Sequence, residues 1–241
     1  MRSALWFIAI LFASQVTMAA PVTLDIGEVG GISSRVIQML ALISVLSLAP
    51  SIVIMVTSFT RIVVVLSFLR SALGLQQTPP NPVLVSLALF LTAFIMMPTF
   101  EASYEAGIAP LMEERMTEKE AFPLIIKPFA KFMHAHTRPK DIMLFMQIAN
   151  KDEVKTQEEI PLQVLVPAFM ISELKRAFEI GFLIFLPFLI IDMMVASILM
   201  AMGMMMLPPV TISLPFKLIF FAMVDGWYLI CGSLVKSYIG G

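Results

Sequence analysis

Asp192 sits in "FLIIDMMVASILMAMG", an otherwise apolar run. An ionisable group at such a position normally faces a bundle interior or an aqueous path. Two uses are open: a carboxylate paired with a neighbour to hold packing, or a proton-handling group beside a conduit. On a helix, Asp192, Ala196, Met200 and Gly203 follow at steps of four, four and three and share one face. Small residues on that face allow close helix approach. Arg61, in "TSFTRIVVVLSFLR", is the second such charge. A buried guanidinium needs a carboxylate or several carbonyls, and Asp192 and Glu173 are both candidates. In "SELKRAFE", Glu173 precedes Arg176 by three and Lys175 precedes Glu179 by four. Either pairing fits a helix surface, as a solvated face or an intersubunit contact.

The third feature is "MAMGMMMLPP", Met200 to Pro209, in which five of the first seven residues are methionine. Methionine is a flexible, polarizable gap-filler that repacks against changing partners. The stretch is either a loosely specified core or a surface past which something moves.

Catalytic constellations are not found. His134 and His136 in "HAH" lie two apart, which on a helix turns them away from each other. The chain has no Gly-rich phosphate loop, nucleophile elbow or zincin pair. The expectation is a non-enzymatic protein with no cofactor and no metal site. Any active transport must draw its energy from elsewhere.

Composition places these residues in a membrane-class chain: 59% hydrophobic, 14% charged, with a mean hydropathy of +0.93. Soluble domains are about 45–50% apolar and about 25% charged. The net charge of −1 offers no electrostatic footprint for nucleic acid. A single cysteine, Cys231, cannot form an internal disulfide.

The elements that must carry these side chains can be read along the chain. Arg2, the apolar run Ala4 to Ala13 and "TMAA" read as a signal peptide cleaved after Ala19. Residues 20–98 form an N-terminal apolar helical hairpin. Its first arm, interrupted by Pro50, runs on past Arg61; its second, Val83 to Met97, starts with Asn81 as N-cap and Pro82 at the first helical position. Residues 99–163 are charged and extracytoplasmic, with amphipathic stripes (Phe129, Phe132, Met133, His136, then Ile142, Phe145, Met146, Ala149) that suit core packing or contacts between copies. Residues 164–241 form a C-terminal apolar hairpin, with a turn at Pro208, Pro209 and Pro215 and a last helix from Phe216 to Lys236.

With the mature N-terminus outside, the Arg70–Pro82 and Leu207–Lys217 turns face the cytoplasm, carrying Arg70 and Lys217 and no acid. The lengths fit a bilayer poorly. A span needs about 20 apolar residues, whereas Val83–Met97 has fifteen and Val36–Leu73 nearly forty. Much of this apolar surface is therefore expected to meet other protein in an assembly.

Three blocks carry a family resemblance: "TSFTRIVVVLSFLRSALGLQQTPPNPVLVSLALFL", "PAFMISELKRAFEIGFLIFLPFLIIDMMVASILMAMGMMMLPP" and "LPFKLIFFAMVDGWYLICGSL". They resemble the FliP family of flagellar biosynthetic proteins, whose relative is an export-apparatus subunit of type III injectisomes. The signal peptide and the long polar segment favour the flagellar branch. The resemblance implies an all-α, membrane-associated subunit of a helical channel. Five copies wind with FliQ and FliR, beside FlhB, in the inner membrane at the basal body, and unfolded flagellar subunits pass through. It implies a pore gasket at Met204, Met205 and Met206, and assembly contacts at Glu173, Phe132 and Phe145, with Arg61 and Lys217 added as charges such contacts would use. A ring of methionines is apolar enough to exclude ions and soft enough to deform around varied side chains. The rival from another class is an ion or solute transporter with Asp192 coupling protons.

Overall fold

A computed structural model describes residues 32–150, 160–204 and 206–239. The signal-peptide reading over residues 1–19, and Met205, lie outside them. Two compact units divide the chain, 1–48 and 49–241. Every regular element among the described residues is helical: α1 (Ile32–Met55), α2 (Phe59–Ala72), α3 (Asn81–Ser103), a π-helical turn (Tyr104–Ile108), α4 (Ala109–Met112), α5 (Glu118–His136), α6 (Pro139–Ile148), α7 (Leu162–Ala201), α8 (Pro209–Met223) and α9 (Gly226–Ile239).

The first apolar run is two helices rather than one. Pro50 does not end α1, which continues to Met55. The break comes at Thr57 and Ser58, both buried. The hydroxyls of Thr57 and Thr60 donate to the Ile54 carbonyl at 3.4 Å, the kind of local side-chain bond that competes with the helical ladder. α2 ends at Ala72, and Gly74, just past its cap, takes a φ of +77° that suits a residue without Cβ. Gly74 N–H donates to Ser71 at 3.0 Å and Leu75 N–H to Arg70 at 3.2 Å, a Schellman stop.

The second helix is longer than the sequence suggests. It starts at Asn81 with Pro80 as N-cap, runs through Pro98, and continues across the π-helical turn, making Asn81–Met112 a run of 32 residues. An internal proline removes one backbone donor but need not stop a helix whose neighbours hold it. This segment is therefore long enough to span a bilayer, contrary to the expectation of a fifteen-residue helix. The last apolar stretch differs too. Pro215 lies inside α8 rather than in the turn, and α8 and α9 are bent by 62° at the break before Gly226.

The packing of residues 49–241 is built on α2 against α7. Ile62, Val65, Leu66 and Leu69 are wholly buried along one side of α2, each contributing about 2 kcal/mol of hydrophobic burial. α7 can lie this close because Gly181 faces Phe68: a Cβ there would sit 2.5 Å from the Phe68 ring. Phe178 holds that ring edge-on, with centroids 4.9 Å apart. α3 packs on α2, α5 on α3 and α7, α6 on α7, α8 back along α7, and α9 on α3 and α8.

Among the described residues, three helices are long and apolar enough to cross a membrane (Val36–Met55, Asn81–Met112, Leu162–Ala201), and the bent α8–α9 pair makes a fourth if it counts as one span. α7, with 40 residues, is about 60 Å long at helical rise, twice the bilayer core of about 30 Å. Its charged "SELKRAFE" stretch divides it near the middle.

The polar segment starts its main helix with a capping arrangement. The backbone N–H and the hydroxyl of Thr117 both donate to the Glu120 carboxylate, each at 2.9 Å. These bonds hold the Glu120 carboxyl below its ordinary pKa. Because the folded value lies below the unfolded one, the stabilisation is present above the unfolded pKa and is lost as pH falls through the folded one. The protection of amides in the first turn of α5, taken as exchange relative to the intrinsic rate at each pH and followed by mass spectrometry, is expected to fall as pH drops through that window in the parent chain. In Glu120→Gln the acid-dependent part is expected to vanish.

Candidate functional site

The buried charges fall into three groups strung along α7. The first joins α2, α7 and α9. Arg61 is 4% exposed and Glu173 wholly buried. The Arg61 guanidinium donates through Nη2 to Glu173 Oε1 and through Nη1 to Ser237 Oγ at 3.2 Å. The Tyr238 hydroxyl donates to the other carboxylate oxygen, and the guanidinium carbon sits 3.9 Å from the Tyr238 ring centroid. Both oxygens of a desolvated carboxylate are thus partnered, and the cation is covered by a π face. Of the two acids open to Arg61, Glu173 is the partner. The Glu173–Arg176 surface pair does not form; Lys175 and Arg176 turn instead to Glu179, at 2.9 and 3.6 Å.

Phe132 and His136 extend this group. The Phe132 ring stacks on Tyr238 at 5.9 Å and meets Phe169 edge-on at 6.0 Å. His136 lies 4.9 Å from Tyr238, and its Nδ1 is 2.9 Å from the Phe132 carbonyl, which requires the proton on Nδ1 because a carbonyl only accepts. Phe132 is thus engaged within its own chain, whereas Phe145 stands half-buried on α6.

One residue before Glu173, Ser172 anchors the α5–α6 corner. Its hydroxyl donates to Asp141 at 2.5 Å and accepts from the Arg138 backbone N–H at 3.0 Å. Arg138 grips Asp141 with two parallel bonds, at 2.8 and 3.0 Å.

The third group lies at the far end of α7. Lys217 Nζ is 2.6 Å from Asp192 Oδ2 and donates to the Ala72 carbonyl at 3.2 Å. Ser213 Oγ donates to Asp192 Oδ1 at 2.5 Å. Ala72 is the last residue of α2, so the ammonium also serves a carbonyl that has no helical partner, at the negative end of the helix dipole. The Asp192 carboxylate is therefore held in an ion pair with Lys217, with its second oxygen on Ser213. The face it belongs to is not quite the expected one. Asp192, Ala196 and Leu199 turn inward, whereas Met200 is exposed. Gly203 lies past the helix end at φ +75°.

That glycine shapes the methionine turn. Gly203 N–H donates to Met200 and Met204 N–H to Leu199, both at 3.0 Å. This second Schellman stop lifts the chain off α7 before Pro208 caps α8. Met204 is half-buried, Met202 is 65% exposed and Met206 98% exposed. Among the described residues, no group of three or more His, Cys, Asp or Glu could hold a metal ion.

The FliP family model matches residues 42–234, which contain all of these groups except Ser237 and Tyr238. The chain belongs to the FliP family. It is 58% identical to the flagellar biosynthetic protein FliP of Caulobacter vibrioides over 233 residues, covering 97% of this chain and 87% of that one. The FliP of Bacillus subtilis is 56% identical over 85% of this chain and 93% of its own. That of Aquifex aeolicus is 47% identical over 99% and 100%.

In this FliP-family chain, sequence reasoning missed Tyr238, Ser213 and the Arg138–Asp141–Ser172 corner. Tyr238 and Ser213 lie in helices whose pairing no local pattern reveals. Arg138 and Asp141, three apart around a proline that opens a helix, carried a signal that could have been read.

Proposed function

We propose that this chain is a core subunit of the flagellar type III protein export gate, lining the channel that unfolded flagellar subunits cross at the inner membrane. Family membership carries the reading. Large apolar side chains left exposed on α7, α8 and α9, among them Phe178, Phe182, Phe216 and Tyr228, support an assembly of several copies, five by the family resemblance, with FliQ, FliR and FlhB as partners. In this reading Glu173, Arg61, Phe132 and Lys217 hold the protomer in the shape that its neighbours recognise, and Phe145 stands where a neighbour can reach it. The turn carrying Met204 to Met206 closes the pore: thioethers offer ions no ligand to replace their water and deform as side chains of different shape pass.

Two measurements test this. Native mass spectrometry of the detergent-extracted chain, alone and with FliQ and FliR, is expected to give a discrete higher oligomer that takes up both. A monomer indifferent to them would end the reading. Replacing Met204, Met205 and Met206 together by alanine is expected to raise ion leak through the assembled gate at least several-fold while export persists. Unchanged conductance would remove the gasket.

A further inference from the structure

The methionine turn sets accessible thioethers beside an unusually good internal control. Met202 and Met206 are 65% and 98% exposed, whereas Met96 is wholly buried and Met133 is 1% exposed. Met193 and Met194, also exposed in the isolated chain, lie within the apolar half of α7, a stretch suited to lipid or neighbouring protein. Met112 and Met143, 73% and 57% exposed, lie in the polar segment and serve as exposed references outside the turn. Met202, Met204 and Met206 belong to neither stretch. α7 has ended at Ala201, Gly203 turns the chain away, and α8 has not begun. The turn joins two apolar helices, so it stands at an aqueous boundary.

We propose that Met202, Met204 and Met206 form an oxidation site for hydrogen peroxide, and that their sulfoxides open the seal. This rests on the gasket reading and adds its regulation. In the step, a thioether lone pair attacks one peroxide oxygen. The O–O bond breaks, an S–O bond forms, and the other oxygen leaves as water after proton transfer. Sulfur is oxidised by two electrons and peroxide is reduced by two. The product is a polar, chiral group with a strong acceptor oxygen, and thiol-dependent sulfoxide reductases reverse the change. A sulfoxide ring holds water where a thioether ring sheds it. Met204, half-buried, follows the two more exposed positions.

The test uses the assembled gate in membranes, treated with hydrogen peroxide and followed in parallel by peptide mass spectrometry and ion leak. Met202 and Met206 are expected to oxidise about tenfold faster than Met96 and Met133, as accessibility dictates. Leak should rise with that oxidation and fall again after treatment with sulfoxide reductases. In the variant M202L/M204L/M206L, which keeps the turn apolar, the peroxide-dependent rise in leak is expected to be lost whatever the starting level of leak. Equal oxidation of exposed and buried methionines would overturn the proposal. So would selective oxidation without a change in leak, or a leucine variant that still responds. The gasket reading fails separately, if the alanine replacements of Met204 to Met206 leave untreated conductance unchanged.

Discussion

Arg61→Ala is expected to destabilise the folded chain by about 3–5 kcal/mol, the usual cost of stranding one partner of a buried ion pair. Glu173 has no access to water, and without the guanidinium only the Tyr238 hydroxyl remains to serve its carboxylate. Typical domains hold only about 5–15 kcal/mol in all, so chain abundance in the membrane should drop sharply. Thermal unfolding of the detergent-purified protein measures the loss directly. Glu173→Gln keeps an acceptor for Tyr238 but leaves the arginine unpaired, and should be nearly as damaging. The informative control is the double change R61M/E173M, which removes both charges and keeps most of the volume. Replacing a buried pair by apolar side chains is often neutral or better, so the double variant is expected to recover most of the stability. If it stays as unstable as the single variants, the contribution of Arg61 lies in its stack on Tyr238 and its bond to Ser237 rather than in the charge pair. Native mass spectrometry then separates fold from assembly: a double variant that is stable yet fails to form rings would place the pair in recognition.

How far the sequence carried this site follows from what each signal measures. An arginine in an apolar run demands a partner whatever the fold, and the expectation narrowed it to two acids, of which Glu173 is the one. Choosing between them required knowing that α2 lies against the first half of α7 at Arg61 and against the second half near Ala72. That is a tertiary fact with no local imprint. Helix existence was legible throughout, because runs this apolar leave few alternatives. Helix ends were less so, and for opposite reasons. Pro50, expected to interrupt the first run, and Pro215, expected in a turn, sit inside helices, as does Pro98, since one lost hydrogen bond is tolerated where packing holds the rest. Thr57 and Ser58, which carry no breaker signature, part α1 from α2: both are buried, and the hydroxyls of Thr57 and Thr60 bond back to the Ile54 carbonyl. The two glycines past α2 and α7 behaved as residue type dictates: both take positive φ and close Schellman stops. Gly203 was misread as a helix-face residue because spacing alone cannot tell the last helical turn from the cap beyond it.

Lys217→Ala is expected to loosen the other end of the protomer, at a cost of about 2 kcal/mol, set by the charge-assisted bonds it makes to Asp192 and Ala72. The figure sits below that for Arg61 because Asp192 is partly accessible, with its side chain 29% exposed, so water can take up some of the lost interaction. The mechanical consequence is larger than the energy. Lys217 on α8 is the point where that helix is tied at once to Asp192 on α7 and to the end of α2, and the methionine turn is the loop this tie closes. Releasing it leaves the turn anchored chiefly by Ser213, whose hydroxyl still reaches Asp192. Hydrogen exchange over residues 199–211 should therefore quicken, and ion leak through the assembled gate should rise, with the first half of α7 unaffected. Asp192→Asn is the sharper comparison. It keeps a side-chain carbonyl for Ser213 and Lys217 while removing the charge. If Asp192 acts as a packing partner, D192N should leak far less than K217A and support export at every pH. If export in D192N instead collapses and loses its dependence on the proton gradient, the carboxylate titrates in the working cycle, and the ion pair is its resting state.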